Sequence, residues 1–226
     1  MRRTRIKICC IGSPEEAALA IREGADALGL VGPMPSGPGV IDDQLISEIV
    51  DTVPPPVSTF LLTSETKAEA IVHHARRCRT DTLQLVDEVD PDAGPIIRAA
   101  LPSRRLVQVI HVEGQASIEA AATAAEQADA ILLDSGKPSA EVRELGGTGR
   151  THDWSISRAI VEASSCPVFL AGGLTPSNVR EAIQAVEPFG VDLCGGVRTD
   201  GHLDAEKLRA FIDEVAQADA SLSPRA

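Results

Sequence analysis

The sequence predicts a single closed parallel (β/α)8 barrel, and three observations point there. Eight short β-branched runs alternate in strict order with eight segments of helical apolar spacing. No Gly-x-Gly-x-x-Gly follows the first run, as it would in a doubly wound dinucleotide-binding sheet. The units are near-equal in length with no linker between them, and 226 residues is an ordinary length for one such barrel.

The strand runs are Arg5–Ile11, Ala27–Val31, Val57–Leu62, Asp81–Val86, Leu106–Val112, Ala130–Asp134, Pro167–Ala171 and Val191–Cys194. The helical segments are Pro14–Glu23, Asp42–Thr52, Ser64–Arg77, Asp92–Ala100, Ser117–Gln127, Ser155–Ala163, Pro176–Val186 and Asp204–Ala216. The first helix carries the clearest punctuation: Ser13 as N-cap, Pro14 at the first helical position, Glu16 three residues past the cap and Gly24 just beyond the end. Ser64 and Thr175-Pro176 read as further helix starts. Residues 1–216 are therefore expected to form one domain, with 217–226 a small, polar, frayed tail.

Composition narrows the function. Aromatic residues make up only 2% of the chain, so the core must be built from Val, Ile, Leu and Ala, which suits a barrel interior filled in layers. A net charge of −12 argues against a nucleic-acid partner but not against a phosphorylated small molecule, which a few backbone N–H groups can neutralise locally. The five cysteines show no disulfide framework and fit a reducing, cytoplasmic setting. The basic start is followed by no hydrophobic signal segment, because Lys7 interrupts it, and no apolar run is long enough to span a membrane.

In a barrel of this kind the chemistry sits where strands end and βα loops begin. Two glycine pairs, Gly172-Gly173 and Gly195-Gly196, fall after the last two strand runs, where barrels commonly hold a phosphate. Glycine lets the backbone approach the phosphate oxygens and aim N–H groups at them. The loop Gly146-Gly147-Thr148-Gly149-Arg150 reads as a closing segment with a mobile positive charge. Other strand ends that could contribute to a pocket include Cys9-Cys10, Gln84, His111 and Asp134. Strand alternation alone does not choose between Cys9 and Cys10, which face opposite sides; a packing role is expected for Cys10. His73 and His74 lie on an outer helix and are expected on a solvated surface. No cluster shows metal-ligand spacing, so no metal is predicted.

Several strings, taken in order, resemble the phosphoribosylanthranilate isomerase family. They are Lys7-Ile8-Cys9, Leu132-Leu133-Asp134-Ser135, Gly146-Gly147-Thr148-Gly149 followed by Asp153-Trp154, Leu170-Ala171-Gly172-Gly173-Leu174 with Asn178-Val179, and Phe189-Gly190-Val191-Asp192 running to Gly196-Val197. The resemblance covers nearly the whole chain. It implies an Amadori rearrangement of N-(5'-phosphoribosyl)anthranilate to the corresponding 1-deoxyribulose 5-phosphate, with no metal or organic cofactor. It also implies that Asp134 protonates the ring oxygen and that Cys9 takes the C2' proton.

The chain departs from the family's pattern at three strand ends. Ser36-Gly37-Pro38-Gly39-Val40 puts Pro38 where the family's carboxylate-binding arginine usually stands, which turns attention to Arg150 or Arg198 as substitutes. Gln84-Leu85-Val86-Asp87 replaces a Gln-Leu-His-Gly run, and Cys194-Gly195 replaces a common Ser-Ser pair. Two other readings therefore stand beside the isomerase: an isomerase or epimerase for a different phosphosugar, and a non-catalytic sensor of a phosphorylated ligand. Retention of both Cys9 and Asp134 speaks against the sensor.

Overall fold

Eight parallel strands close into a barrel in the computed structural model, which describes residues 3–35, 37–90, 92–136 and 151–222. The strands are β1 Arg5–Ile8, β2 Ala27–Val31, β3 Ser58–Thr63, β4 Thr82–Leu85, β5 Arg105–His111, β6 Ala130–Asp134, β7 Val168–Leu170 and β8 Gly190–Leu193. The helices are α1 Pro14–Glu23, α2 Asp43–Thr52, α3 Ala68–Cys78, α4 Ala93–Ala100, α5 Ala116–Ala125, α6 Trp154–Ala163, α7 Val179–Val186 and α8 Ala205–Ser221. Each strand pairs with the next, and β8 returns to β1 with Ile6 opposite Val191 and Lys7 opposite Asp192. No helix among the described residues is long and apolar enough to cross a membrane.

Local chemistry explains most helix starts. Ser13 Oγ accepts from Glu16 N at 3.2 Å to cap α1, and Gly24 ends that helix at φ 113°, a conformation that suits glycine. Asp42, Asp153 and Asp204 cap α2, α6 and α8 in the same way through their carboxylates. Two expected starts move. The third helix begins at Ala68 rather than Ser64, because Thr63 Oγ1 takes the Glu65 N–H into a turn. The seventh begins at Val179, after a turn in which Asn178 Oδ1 accepts from Thr175 N at 2.8 Å.

The core lies in two layers. Branched aliphatics from the outward strand faces pack against the helices, while a second cluster fills the barrel interior with Val107, Val109, Leu132, Phe60 and Phe169. The two phenylalanines meet edge to face at 6.1 Å between centroids, so a chain poor in aromatics places two of them inside the barrel.

Three features differ from the sequence expectation. His73 is exposed, but His74 is buried, because its ring turns inward to Thr63 Oγ1 at 2.9 Å. The last helix runs to Ser221, past the expected Ala216; Ala218 is buried and the Asp219 carboxylate accepts from both the N–H and the hydroxyl of Thr4, which docks the start of the expected tail. Between β8 and α8 the chain makes a 3-10 turn, Gly195–Val197, and then a hairpin of β9 Arg198–Thr199 and β10 His202–Leu203. Both turn residues of that hairpin, Asp200 at φ 50° and Gly201 at φ 83°, are left-handed, as a tight two-residue hairpin requires.

Candidate active site

A cavity of about 1060 Å³ opens at the C-terminal ends of the strands. Its wall includes Cys9, Gln84, Asp134, both glycine pairs and Arg198, so most of the residues singled out by sequence meet in one place.

The cavity floor is charged. Lys7 is fully buried in β1, and its Nζ donates to Asp192 Oδ1 at 2.8 Å across the β1–β8 seam. Burial works against its charge, but Asp192 and the neighbouring Cys9 outweigh that and hold the ammonium above its usual range. Cys9 Sγ lies beside Gly29 of β2, where an added Cβ would come within 2.7 Å of the sulfur and 3.0 Å of Lys7 Nζ. Gly29 is thus the space that lets the lysine and the thiol share the interior.

The end of β1 departs from simple alternation. Cys9 N still donates to Leu193 O at 2.8 Å, but Cys10 turns left-handed at φ 61° before Ile11 N rejoins Gly29 O. That turn brings Cys10 to the cavity wall as well as Cys9, rather than into packing behind it. Hydrogen bonding with Cys194 and Cys9, together with burial, pushes the Cys10 thiol up and keeps it protonated. The Cys194 thiol moves the other way, lowered by the bond from Cys10 against burial, with Arg198 assisting.

Asp134, at the end of β6, faces the same cavity. Burial raises its pKa, with the Asp192 charge adding to the effect; the Ser135 N–H, 2.7 Å from Oδ1, and the nearby His111 and Lys7 oppose it. The result is a carboxyl biased toward its neutral, proton-donating form. Gln84, buried at the end of β4, leaves Oε1 without a hydrogen-bond partner among the described residues. A buried, unmatched carbonyl on a cavity wall is a ready acceptor for a ligand hydroxyl or amine.

The glycine loops follow β7 and β8, between the ends of β6 and β1. Gly172 and Gly173 take φ 85° and 62°, and a Cβ on Gly196 would lie 2.1 Å from Leu174 O, so the two loops touch through bare backbone. Backbone N–H groups in loops bare of side chains suit a phosphate.

Two expected substrate contacts are placed differently. His111 is not part of the cavity wall; its Nε2 donates to the Val86 carbonyl at 3.2 Å, which holds the ring at the rim. Arg198 lines the cavity, but its fork is occupied: both terminal nitrogens bond Glu16, at 2.9 and 3.0 Å, and they also reach the carbonyls of Gly201 and Cys10. It clamps the loop after β1 to the hairpin after β8 rather than presenting a free charge. Arg150 and the loop from Gly146 lie outside the described residues.

Sequence reasoning missed Asp192 as a wall residue. A signal existed: a lone Lys in the first strand and a lone Asp in the last must become neighbours once the barrel closes. It also missed the hairpin, although Asp200-Gly201 is a strong turn pair.

The family model described as N-(5'-phosphoribosyl)anthranilate (PRA) isomerase matches residues 6–214, the whole barrel. The chain belongs to that family. Relatives carrying the name N-(5'-phosphoribosyl)anthranilate isomerase include those of Methanocella arvoryzae, 38% identical over 94% of this chain and 98% of the relative, and of Haloarcula marismortui, 35% identical over 95% and 97%. The solved phosphoribosyl anthranilate isomerase of Thermus thermophilus superposes with a TM-score of 0.80 at 29% identity, covering 95% of this chain and 99% of that one. Another solved member of the family, at TM-score 0.77 and 27% identity over 95% and 99% of the two chains, is in complex with reduced 1-(o-carboxyphenylamino)-1-deoxyribulose 5-phosphate.

Proposed function

We propose that this chain catalyses the Amadori rearrangement of N-(5'-phosphoribosyl)anthranilate to 1-(2-carboxyphenylamino)-1-deoxyribulose 5-phosphate in tryptophan biosynthesis. The observation that carries the reading is the shared cavity: Asp134 and Cys9 open on the same space as the backbone donors of the last two loops. The bound product analogue of a solved relative has the same parts, a phosphate at one end and an aromatic carboxylate at the other.

The phosphate sits against Gly172, Gly173, Gly195 and Gly196, which fixes the sugar across the cavity. Asp134, whose pKa burial raises, gives its proton to the furanose ring oxygen as the C1'–O bond breaks and the anthranilate nitrogen forms a Schiff base with C1'. Cys9 removes the C2' proton, and the electron pair passes to the C1'–N system to give an enolamine. Loss of the enol proton and protonation at C1' then leave the ketose. Cys10, held protonated, is unsuited to the base role. Gln84 Oε1 is placed to accept from a sugar hydroxyl or the anilino nitrogen. With Arg198 engaged by Glu16, the anthranilate carboxylate is assigned to Arg150. The substrate is a small phosphosugar; neither nucleic acid nor membrane has a part in this scheme. All five cysteines are free, which supports a cytoplasmic setting.

The test uses the purified chain and follows the fluorescence of phosphoribosylanthranilate. The expected result is its enzyme-dependent loss, together with rescue of a tryptophan auxotroph lacking the isomerase. Binding of the substrate without turnover would replace the isomerase with the sensor reading.

A further inference from the structure

Outside the barrel wall, α2 and α3 bring three ligand-type side chains together. Asp43 is the first residue of α2, while His74 and Cys78 lie four apart on α3, the spacing that stacks two side chains on one helix face. One ligand atom from each lies within 4.8 Å of the other two. His74 is 4% exposed and Cys78 is fully buried.

His74 Nε2 faces Asp43 Oδ1 at 3.0 Å, and the Cys78 thiol bonds the same carboxylate, so the three ligand-type groups turn toward one another in a buried pocket. The other ring nitrogen, Nδ1, is engaged by Thr63 Oγ1 at 2.9 Å, which fixes the ring and leaves Nε2 as the coordinating atom.

We propose that Asp43, His74 and Cys78 form a binding site for one zinc-class divalent cation, with water as the fourth ligand. The mixed nitrogen, oxygen and sulfur set selects zinc over magnesium or calcium, which take oxygen. The 3.0 Å between Nε2 and Oδ1 suits two atoms about 2.0–2.2 Å from a common ion. Binding the metal as a thiolate, Cys78 gives up its proton to solvent. The Asp43 carboxylate and the Cys78 thiolate then balance the dication, while Arg77 keeps its bond to Asp43 Oδ2.

The position gives the site a purpose. A Cβ at Gly32 would lie 2.4 Å from the His74 ring, so the cluster abuts the end of β2. From there the loop carrying Met34, Pro38 and Gly39 rises to the cavity wall. A cation at this point ties α2 to α3 beneath that loop. The proposal is independent of the catalytic reading.

The test titrates the chelator-stripped full chain with Co2+ as a spectroscopic substitute for zinc. One Co2+ per chain and a thiolate-to-cobalt charge-transfer band are expected, with Zn2+ displacing the cobalt and raising Tm. The band and the Tm shift should vanish in Cys78→Ser, which retains the side-chain shape and whose fold is checked by circular dichroism, and in His74→Gln. They should persist in the triple variant Cys9→Ser, Cys10→Ser, Cys194→Ser. Failure of the folded wild type to bind Co2+, survival of the band in Cys78→Ser, or its loss in the triple variant would each overturn the proposal; the last would put the metal on the thiols of the cavity mouth.

Discussion

The two walls of the cavity mouth are made of different material. The β7–β8 side is backbone: glycines with left-handed φ, a loop contact that excludes even a methyl group, and no charged side chain among the four glycine positions. The other is made of titratable side chains from β1, β6 and β8 itself, whose properties are set by one another, with Lys7 against Asp192, Cys10 against Cys194, and Asp134 under the influence of both charges. The difference teaches which errors each wall tolerates. The first fails when anything is added, and the second when one partner of a pair is taken away.

The buried pair beneath Cys9 should give the largest response. Lys7→Met leaves Asp192 buried without its cation, and breaking such a pair typically costs about 3–5 kcal/mol. Denaturant melts of Lys7→Met, Asp192→Leu and the double variant check this, and the double variant should be more stable than either single one. If Lys7→Met alone melts like the wild type, the pair does not organise this wall.

Asp134→Asn comes next. It should lower kcat ~100-fold or more with little change in KM, the usual worth of a positioned acid. The same substitution should raise Tm near neutral pH. Because the folded pKa of Asp134 lies above its unfolded value, stability declines as pH rises from the unfolded value through the folded one, and asparagine does not titrate. A Tm that is equal in the two proteins across that window would deny the raised pKa.

The backbone wall is tested by paired substitutions. Gly196→Ala forces a Cβ against Leu174 O and should cost about 1–3 kcal/mol while raising KM, whereas the Cβ of Gly195→Ala enters open space and should leave stability nearly unchanged. Equal stability losses at the two positions would refute the close loop contact.

The smallest effect is expected at the Arg198–Glu16 clamp. Burial alone would raise Glu16, but Arg198 and two backbone N–H groups, from Leu203 and Gly12, hold it below its usual range. Its stabilisation is therefore full above the ordinary carboxylate pKa and is lost as pH falls through the folded value. Glu16→Gln should flatten the acid limb of a Tm-against-pH curve, and an unchanged limb would leave the clamp without weight.

The same contrast governs what could be read from the sequence. Barrel order, the α1 caps and the glycine pairs were legible because each depends on local periodicity or on a residue type with one conformational use. Asp134 and Cys9 were placed by resemblance, and the structure brings both to the cavity. What stayed hidden depends on the third dimension. Cys10 reaches the cavity through a left-handed turn that alternation cannot express. Arg198 is occupied by a glutamate 182 positions away in the chain, and His74 turns inward because Thr63 waits at the end of β3. The grouping of His74 and Cys78 with Asp43 went unread, because the third partner lies on a different helix.

The central claim is that Cys9, and not its neighbour, is the base opposite Asp134. The most direct measurement compares kcat for Cys9→Ser and Cys10→Ser in the fluorescence assay, each across the pH range of kcat/KM. The account predicts a fall of ~100-fold or more for Cys9→Ser and near-wild-type turnover with a retained bell-shaped profile for Cys10→Ser. Full activity in Cys9→Ser, or a comparable loss in Cys10→Ser alone, would contradict it.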